Sequence, residues 1–168
     1  MSDYTFEINS PKYGIKTVWI DLEDYDKIKE YKWYVKKDYY SGCFYVSSHD
    51  LTTKNKKSIR LHRIVMDAKS DQIIDHVNHD TLDNRKQNLR FCSHQENMRN
   101  KGKLKNTSSK YKGVSFHKRD KIYTAHITID KKLIHLGTFK NEIQAAMAYD
   151  EAAVKYFGEY ANLNIEFL

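Results

Sequence analysis

A short stretch in the middle of the chain, residues 75–97, combines side chains that could hydrolyse a phosphate ester. Asp75 and His76 are adjacent, and Asn97 follows near the end of the stretch. A carboxylate oxygen of Asp75 and a carboxamide oxygen of Asn97 are hard ligands suited to one divalent ion, Mg²⁺ first and Mn²⁺ or another divalent ion as the alternative. A neutral His76 beside that ion could accept a proton from water. The stretch therefore predicts a one-metal hydrolytic site.

Two predicted elements must bring these side chains together. The run QIIDHVN is apolar up to Ile74, which predicts a strand that ends at Asp75 and His76. Consecutive strand residues point to opposite faces, so a bend must direct both side chains to one site. Ser93 and Glu96 form a capping-box pattern. The pattern predicts a helix that begins directly after Ser93 and carries the amide ligand on its first turn.

The segment between the predicted strand and helix is rich in Asn and Asp. These residues favour turns because their side chains bond the local backbone. Asn88 is predicted to hold this turn and to orient the imidazole, and it is counted with His76 as the catalytic pair. His79 is the rival general base, but it lies in the polar turn with no candidate ligand beside it. His62 and His94 are predicted to be structural or phosphate-contacting, and His49 to be an exposed loop residue.

The order of these motifs resembles that of the HNH endonuclease family, in particular its phage and intron-encoded homing-type members. The resemblance covers about residues 15–100 and implies a ββα-metal nuclease domain with flanking strands. It implies that Asp75 and Asn97 hold the metal, that His76 is the general base and that Asn88 is structural. It also implies products with 3′-hydroxyl and 5′-phosphate ends. The matching pieces are Asp75-His76, Asn84, Asn88-Leu89-Arg90, Asn97 (where the family name has His) and the upstream LHR of residues 61–63.

Charge is distributed unevenly along the chain. The 168 residues carry a net charge of +7, and residues 101–140 hold eleven Lys or Arg against two Asp. A basic block of this density predicts a polyanionic partner such as nucleic acid. A surface with additional solvated lysines is the alternative.

Composition also bears on the compartment. Cys43 and Cys92 stand alone, which predicts reduced structural thiols rather than a disulfide or a zinc site. No apolar run approaches the ~20 residues of a membrane span, and the first residues lack the pattern of a secretion signal. The sequence therefore predicts a cytoplasmic protein of a bacterial or phage-infected cell, with no membrane partner and no small-molecule cofactor.

A second domain is predicted after the basic segment. Residues 1–100 are assigned to the first domain, 101–109 to a basic linker and 110–168 to the second domain. Three strand-like runs precede a helix that Asn141 caps and Gly158 ends, which predicts a three-stranded antiparallel sheet packed on one helix. The fold class of the whole chain is therefore α+β. The helix face predicted to pack on the sheet consists of Ile143, Ala146, Met147, Ala153, Val154 and Phe157.

Strand alternation divides the residues of this sheet between two faces. The face predicted to pack on the helix consists of Val114, Phe116, Tyr123, Ala125, Ile127, Ile134 and Leu136. The face predicted to point outward consists of Ser115, His117, Thr124, His126, Thr128 and His135, with Lys112 and Arg119 at the strand ends. Short polar side chains and histidines among lysines suit contacts with phosphates and base edges.

Residues 109–164 resemble the Apetala2/ethylene-response-factor DNA-binding domain in the pieces YKGV, HLGTF, AAMAYDEAA and ANLN. The resemblance implies that the outward face of the sheet lies in the major groove and that Lys112 and Tyr149 contact DNA. The arginines and tryptophans of the plant domains are mostly replaced, so their target sequence does not carry over. A sheet that binds protein or RNA is the alternative. The predicted DNA-binding set is Lys112, Ser115, His117, Arg119, Thr124, His126, Thr128, His135 and Tyr149.

The sequence thus predicts a divalent-metal-dependent endonuclease that hydrolyses phosphodiester bonds in double-stranded DNA, as a homing-type, site-specific nicking or cleaving enzyme. Two alternatives remain at this point. One is a non-catalytic DNA-binding regulator that uses the HNH unit as a scaffold. The other is an RNA-binding accessory protein.

Overall fold

A computed structural model describes residues 2–39, 41–49, 57–102 and 107–165 of the chain. The chain divides into two compact units, Met1–His94 and Gln95–Leu168. The division falls at the start of a helix, whereas the sequence places the boundary in the basic segment 101–109. Part of that segment, residues 103–106, lies outside the described residues.

The first unit contains three small antiparallel sheets. Its strands are β1 Asp3–Ser10, β2 Gly14–Asp21, β3 Tyr34–Lys37, β4 Phe44–His49, β5 Ser58–Arg60, β6 Ile73–His76 and β7 Leu89–Cys92. Its helices are α1 Tyr25–Ile28 and α2 Leu61–Val65. The sheets pair β1 with β2, β3 with β4 and β5, and β6 with β7. One apolar core joins them, formed by Ile8, Val18, Ile20, Ile28, Val35, Val46, Leu61, Val65 and Leu89.

Strand β1 is an element that the sequence analysis did not predict. It pairs with β2 along its whole length, from Asp3 opposite Asp21 to Ser10 opposite Gly14. Gly14 has a φ of +70°, a left-handed conformation that glycine adopts at little cost in the turn between the strands. The hairpin contributes Ile8 to the core.

The loop that follows β6 is bound to β2 through the backbone. Trp19 N donates to Leu82 O at 3.0 Å, and Asn84 N donates to Trp19 O at 2.8 Å. The Asp21 carboxylate accepts a hydrogen bond from Lys86 N at 2.8 Å and makes no side-chain cap for the turn at Leu22–Asp24. The loop is therefore part of the folded unit, and its bonds fix the end of β6 and the start of β7.

The second unit begins inside helix α3, His94–Asn100, at the second residue of that helix. The helix starts directly after Ser93, as the capping-box pattern predicts. The other elements of the unit are β8 Val114–His117, β9 Ile122–Ile129, β10 Lys132–Phe139 and α4 Glu142–Phe157. The three strands form an antiparallel sheet in the order β10-β9-β8. The Asn141 side chain caps α4 by accepting from Ile143 N at 2.8 Å, and Gly158 follows its last residue with a φ of +56°. These elements confirm the predicted sheet and helix.

Alanines set the face of α4 that meets the sheet. Ala145, Ala146 and Ala153 are completely buried, because a small side chain lets the helix backbone lie close to the strands. The prediction was correct for Ala146, Ala153 and Phe157. It was wrong for three larger side chains on α4 and one on β10, which are exposed: Ile143, Met147, Val154 and Ile134.

Helix α3 belongs to the second unit because polar groups of that unit bind it. The Lys112 ammonium donates to the carbonyls of Arg99 at 2.5 Å and Lys101 at 2.6 Å. Asn162 Nδ2 donates to Asn100 O at 2.8 Å. These bonds satisfy carbonyls at the C-terminal end of the helix that have no partner within it.

Within the described residues, no helix is long and apolar enough to cross a membrane. Cys43 and Cys92, both of them described, form no disulfide, as the sequence predicts.

Candidate functional site

Asp75 and His76 are the last two residues of β6, where the sequence places them. Both are buried, with 7% and 6% of their surface exposed. Asp75 lies opposite Arg90 in the β6–β7 pair. The Arg90 guanidinium donates to Asp75 Oδ2 from Nε at 3.1 Å and from Nη2 at 2.9 Å. The candidate metal ligand is therefore engaged with an arginine in this structure.

The imidazole of His76 lies among other rings. Its centroid is 5.1 Å from that of His62, at right angles to it, and 6.3 Å from that of Tyr45. Burial lowers the pKa of His76, and a hydrogen bond with the Asn84 side chain opposes that effect. Burial lowers the pKa of His62 to about 3. Both imidazoles are therefore neutral at pH 7, which is the form that accepts a proton.

Asn88 fixes the loop that follows β6. Its Oδ1 accepts from Asn78 N at 2.9 Å, and its Nδ2 donates to Asp83 O at 2.8 Å. Its carbonyl accepts from Val77 N at 2.9 Å, directly after His76. Asn88 is buried. Its amide thus bonds to backbone on both sides of the loop, and this arrangement can hold the end of β6 in place.

Asp83 and Arg85 lie in the same loop, between β6 and β7, and bind each other. Arg85 donates to Asp83 Oδ1 from Nε and to Oδ2 from Nη2, both at 2.8 Å. Its Nη1 reaches Asp3 Oδ2 at 2.7 Å, on the first strand. These bonds lower the pKa of Asp83, so the carboxylate stays ionised. These contacts tie the loop to strand β1.

A divalent ion at Asp75 would need oxygen donors around the carboxylate. The described residues contain no group of three or more His, Cys, Asp or Glu side chains that could hold a metal. A carboxylate has about four lone-pair sites on two oxygens, and Arg90 uses sites on Oδ2. The Asp75 carboxylate is thus a chemically suitable oxygen donor for Mg²⁺ or Mn²⁺, in competition with a guanidinium. Asn97, the other predicted ligand, is a half-buried residue of α3 in the second unit.

The sheet of the second unit has a face opposite α4, called the free face below. It carries three pairs of a hydroxyl and a histidine ring nitrogen: Ser115 with His126 at 3.2 Å, Thr124 with His117 at 3.3 Å and Thr138 with His135 at 3.5 Å. Adjacent strands place His126 directly opposite His135. These are groups that can donate to and accept from phosphates and base edges.

The predicted members of the free face differ in exposure. His117, Arg119, Thr128 and His135 are exposed, Ser115 and His126 are half-buried, and Thr124 is buried on the central strand. Arg119 lies in the turn between β8 and β9, where its Nε contacts Asp120 Oδ1 at 3.0 Å.

Thr138 was missed by the sequence analysis. A bulge between His135 and Gly137 shifts the alternation of β10 by one residue, so Thr138 pairs with Thr124. Glycine inside a strand pattern is a signal for such a bulge. Gly137 could therefore have indicated the shift.

Two residues of the predicted DNA-binding set lie away from the free face. Tyr149 packs in the core of the second unit with 3% of its surface exposed. Burial raises its pKa. The Lys112 ammonium is bound to the carbonyls at the end of α3, and burial lowers its pKa to about 8. The structure thus places both residues in the packing of the unit, and we leave them out of the proposed interface.

Each half of the chain matches a known protein family. The HNH endonuclease family matches residues 60–99, which include α2, β6, β7 and α3 except its last residue. The AP2 domain family matches residues 109–159, which include the three-stranded sheet and α4. The matched regions correspond to the two resemblances seen in the sequence.

One relative is similar over most of the chain. An uncharacterized HNH endonuclease of Acanthamoeba polyphaga mimivirus is 32% identical over 152 residues, which are 87% of this chain and 73% of the relative. An extended likeness of this kind covers both units. The chain belongs to the HNH endonuclease family, and it combines the HNH region with an AP2 domain.

Plant proteins match the second unit only. The AP2-like ethylene-responsive transcription factor TOE2 of Arabidopsis thaliana is 44% identical over 57 residues, which are 34% of this chain and 12% of the relative. The APETALA2-like protein 2 of Oryza sativa subsp. japonica is 42% identical over 57 residues, which are 34% of this chain and 13% of the relative. The chain spans about an eighth of these two plant proteins.

Proposed function

We propose that the protein is a divalent-metal-dependent endonuclease that hydrolyses phosphodiester bonds in double-stranded DNA. The observation that carries the proposal is the buried Asp75–His76 pair at the end of β6, inside the region that matches the HNH family. We further propose a homing-type, site-specific enzyme, on the resemblance to phage and intron-encoded members. The pairing of strands β6 and β7 before α3 agrees with a ββα-metal order of elements.

His76 is the proposed general base. Its ring is neutral at pH 7 because burial lowers its pKa, so it can accept a proton from the attacking water. Its hydrogen bond with the Asn84 side chain and its ring contacts with His62 and Tyr45 restrict its orientation. Asn88 is proposed to act indirectly, through the backbone of the loop that begins at Val77.

Asp75 would hold the divalent ion, and Asn97 is kept as the second proposed ligand on the resemblance alone. The bound ion would stabilise negative charge on the phosphate and on the leaving 3′ oxygen. Arg90 has a defined part in this proposal. It holds the Asp75 carboxylate in place before a cation arrives, since an unpaired buried charge is costly.

The free face of the second unit is the proposed duplex-docking surface. Its histidines and hydroxyls present donors and acceptors to base edges, and the basic segment before it adds affinity for phosphates. The proposed contacts are Ser115, His117, Arg119, Thr124, His126, Thr128, His135 and the added Thr138.

A plasmid relaxation assay tests the nuclease proposal. Wild-type protein with Mg²⁺ should convert supercoiled plasmid to nicked or linear DNA, and EDTA should stop the reaction. His76→Ala should lower the rate by at least ~100-fold, because general-base catalysis contributes a factor of this order. DNA binding by the variant should persist.

His79→Asn is the matched control for that variant. His79 is exposed three residues further on and has a φ of +64°. Asparagine tolerates this conformation better than most residues. The control should cleave at the wild-type rate. Equal cleavage by wild type and His76→Ala, or a loss in His79→Asn instead, would remove His76 from the mechanism.

The Arg90–Asp75 ion pair also favours a second candidate, a non-catalytic DNA-binding regulator. In that case Arg90 would be the permanent partner of Asp75 and the HNH unit would be a scaffold. Retained DNA binding with no Mg²⁺-dependent cleavage in the same assay would select this candidate.

A further inference from the structure

Arg60 occupies a fixed position between a strand and a helix of the first unit. It is the last residue of β5 and lies opposite Ser47 of β4. Helix α2 begins at the next residue, Leu61, which is completely buried. The backbone of Arg60 is thus held by the strand pair on one side and by core packing on the other. Its side chain is exposed.

The Tyr45 ring connects this exposed guanidinium to the candidate base. The Arg60 guanidinium carbon lies 4.3 Å from the centroid of the Tyr45 ring. The Tyr45 ring in turn lies 6.1 Å from that of His62 and 6.3 Å from that of His76. A guanidinium stacked on an aromatic face keeps its N–H groups along its edge, where they can bind another group. The Arg60 guanidinium and its donors are therefore one aromatic ring away from the candidate base.

Arg60 differs from Arg85 and Arg90 in its partners. Arg85 pairs with Asp83, and Arg90 pairs with Asp75. Among the described residues, no acidic side chain forms an ion pair with Arg60, whose contact is the Tyr45 ring. Burial raises the pKa of Tyr45, so its phenol is uncharged at pH 7. The positive charge of Arg60 is therefore available to an external anion.

A phosphate of the DNA backbone is the anion that fits this position. The flat guanidinium can donate two parallel N–H bonds to two oxygens of one phosphate. His76, two ring contacts away, is the group that needs a phosphodiester brought near it. We infer that Arg60 binds a backbone phosphate of the DNA next to His76, and that Tyr45 positions its guanidinium. This inference rests on the proposed nuclease function and adds a substrate contact to it.

The first measurement is DNA binding without catalysis. Binding of a duplex oligonucleotide is measured in EDTA over a range of salt concentrations for wild type, Arg60→Gln and Lys29→Gln. Lys29 is an exposed residue of the same unit whose ammonium pairs with Asp26 at 2.7 Å. Loss of one phosphate contact should reduce the slope of log affinity against log salt by about 1 in Arg60→Gln. Lys29→Gln removes the same charge and should leave the slope unchanged.

The second measurement is Mg²⁺-dependent nicking by the same proteins. Arg60→Gln should lose about tenfold to a hundredfold in rate, as expected for a lost charge-assisted contact. Arg60→Lys keeps the charge but not the planar fork, so it should keep the salt slope and lose part of the rate. Thermal unfolding of each variant should match wild type, because Arg60 is exposed.

The outcomes separate the two proposals. Wild-type slope and wild-type rate in Arg60→Gln would overturn the Arg60 contact, and so would equal losses in Lys29→Gln. If wild-type protein shows no nicking, the nuclease proposal fails, while the salt slope of Arg60→Gln still decides whether this side chain binds a phosphate.

Discussion

The guanidinium of Arg90 and the carboxylate of Asp75 face each other across the β6–β7 pair, with two N–H groups directed at one oxygen, Oδ2. Both side chains are largely buried, with 14% and 9% of their surface exposed. The pair places a protein cation where the proposed function requires a metal ion. Arg90 therefore stabilises the Asp75 carboxylate, and it would compete with a metal ion for that carboxylate.

Arg90→Gln should separate these two effects. Without metal, the variant should be less stable than wild type by about 2–4 kcal/mol, because a buried carboxylate loses its partner. Mg²⁺ or Mn²⁺ should then raise its melting temperature more than it raises that of wild type. The measurement is thermal unfolding in EDTA and in a series of metal concentrations. Asp75→Asn is the control and should show no metal effect. Equal metal effects on wild type and Arg90→Gln would contradict the competition.

Asn88→Ala should destabilise the first unit. The substitution removes two hydrogen bonds that the buried amide makes to backbone groups at 2.9 and 2.8 Å. The expected loss is about 2–4 kcal/mol in the free energy of unfolding, since the backbone groups are left without partners. Urea denaturation measures it. Asn97→Ala, at a half-buried position, is the comparison and should cost less than 1 kcal/mol. A stable Asn88→Ala protein would show that the loop does not depend on this amide.

Gly113→Ala should disrupt the second unit. Gly113 has a φ of +74°, and an added methyl group would lie 2.0 Å from Cδ2 of Tyr149 and 2.7 Å from the carbonyl oxygen of His126. Neither a core ring nor a strand carbonyl can move freely, so the cost should be at least ~3 kcal/mol.

Gly14→Ala is the matched control for that substitution. Gly14 has a φ of +70°, and an added methyl group would meet nothing within 4 Å. It should therefore cost only the ~1 kcal/mol of backbone strain. Thermal unfolding of the two variants should differ accordingly. Equal costs would mean that the left-handed backbone alone, and not contact with Tyr149, requires glycine at Gly113.

Stability should fall as the pH drops below about 6.5, in part through His62. Its pKa is about 3 in the folded protein because of burial, whereas in the unfolded chain it is about 6.5. The unfolded state therefore binds more protons between these values. The stabilisation is complete above pH 6.5 and is lost towards pH 3, with a slope of at most ~1.4 kcal/mol per pH unit. Urea denaturation at pH 7, 6 and 5 should show a shallower slope for His62→Phe than for wild type. Identical slopes would contradict a buried neutral His62.

The proposed role of the free face in DNA binding can be tested by placing a negative charge on it. His135→Glu puts a negative charge on the free face, and Ile143→Glu puts the same charge on the exposed side of α4. Binding of duplex DNA in EDTA should weaken at least about tenfold for His135→Glu, because the new carboxylate repels backbone phosphates. Ile143→Glu should bind as wild type. Fluorescence anisotropy measures both, with an RNA duplex as competitor. Equal effects of the two substitutions would argue against docking through this face.

Local sequence patterns were sufficient to predict several elements of the fold. The apolar run before Asp75 predicts a strand that ends at His76, as observed. Ser93 and Asn141 mark the starts of α3 and α4, as observed. Alternation predicts the outward side chains of β8 and β9, whose histidines and hydroxyls pair on the free face. Each of these features depends on residues within a few positions of one another.

Other features depend on distant residues and were not predicted. The sequence did not indicate that Arg90 binds Asp75, since that contact requires the register of β6 against β7. The contact of Arg60 with the Tyr45 ring, and the edge contacts of that ring with His62 and His76, join four separate elements of the first unit. The predicted face of α4 was wrong at Ile143, Met147 and Val154.

The sequence by itself therefore determined which chemical groups are present, which elements carry them and to which families the two halves are similar. Those properties follow from side-chain chemistry and from backbone preferences that act over one or two turns of chain. Only the tertiary structure decided which groups meet: Arg90 with Asp75, Arg60 with Tyr45, and Lys112 with the end of α3 instead of with the free face. Such contacts are set by strand register and core packing, and both depend on interactions among many residues that are distant in the sequence.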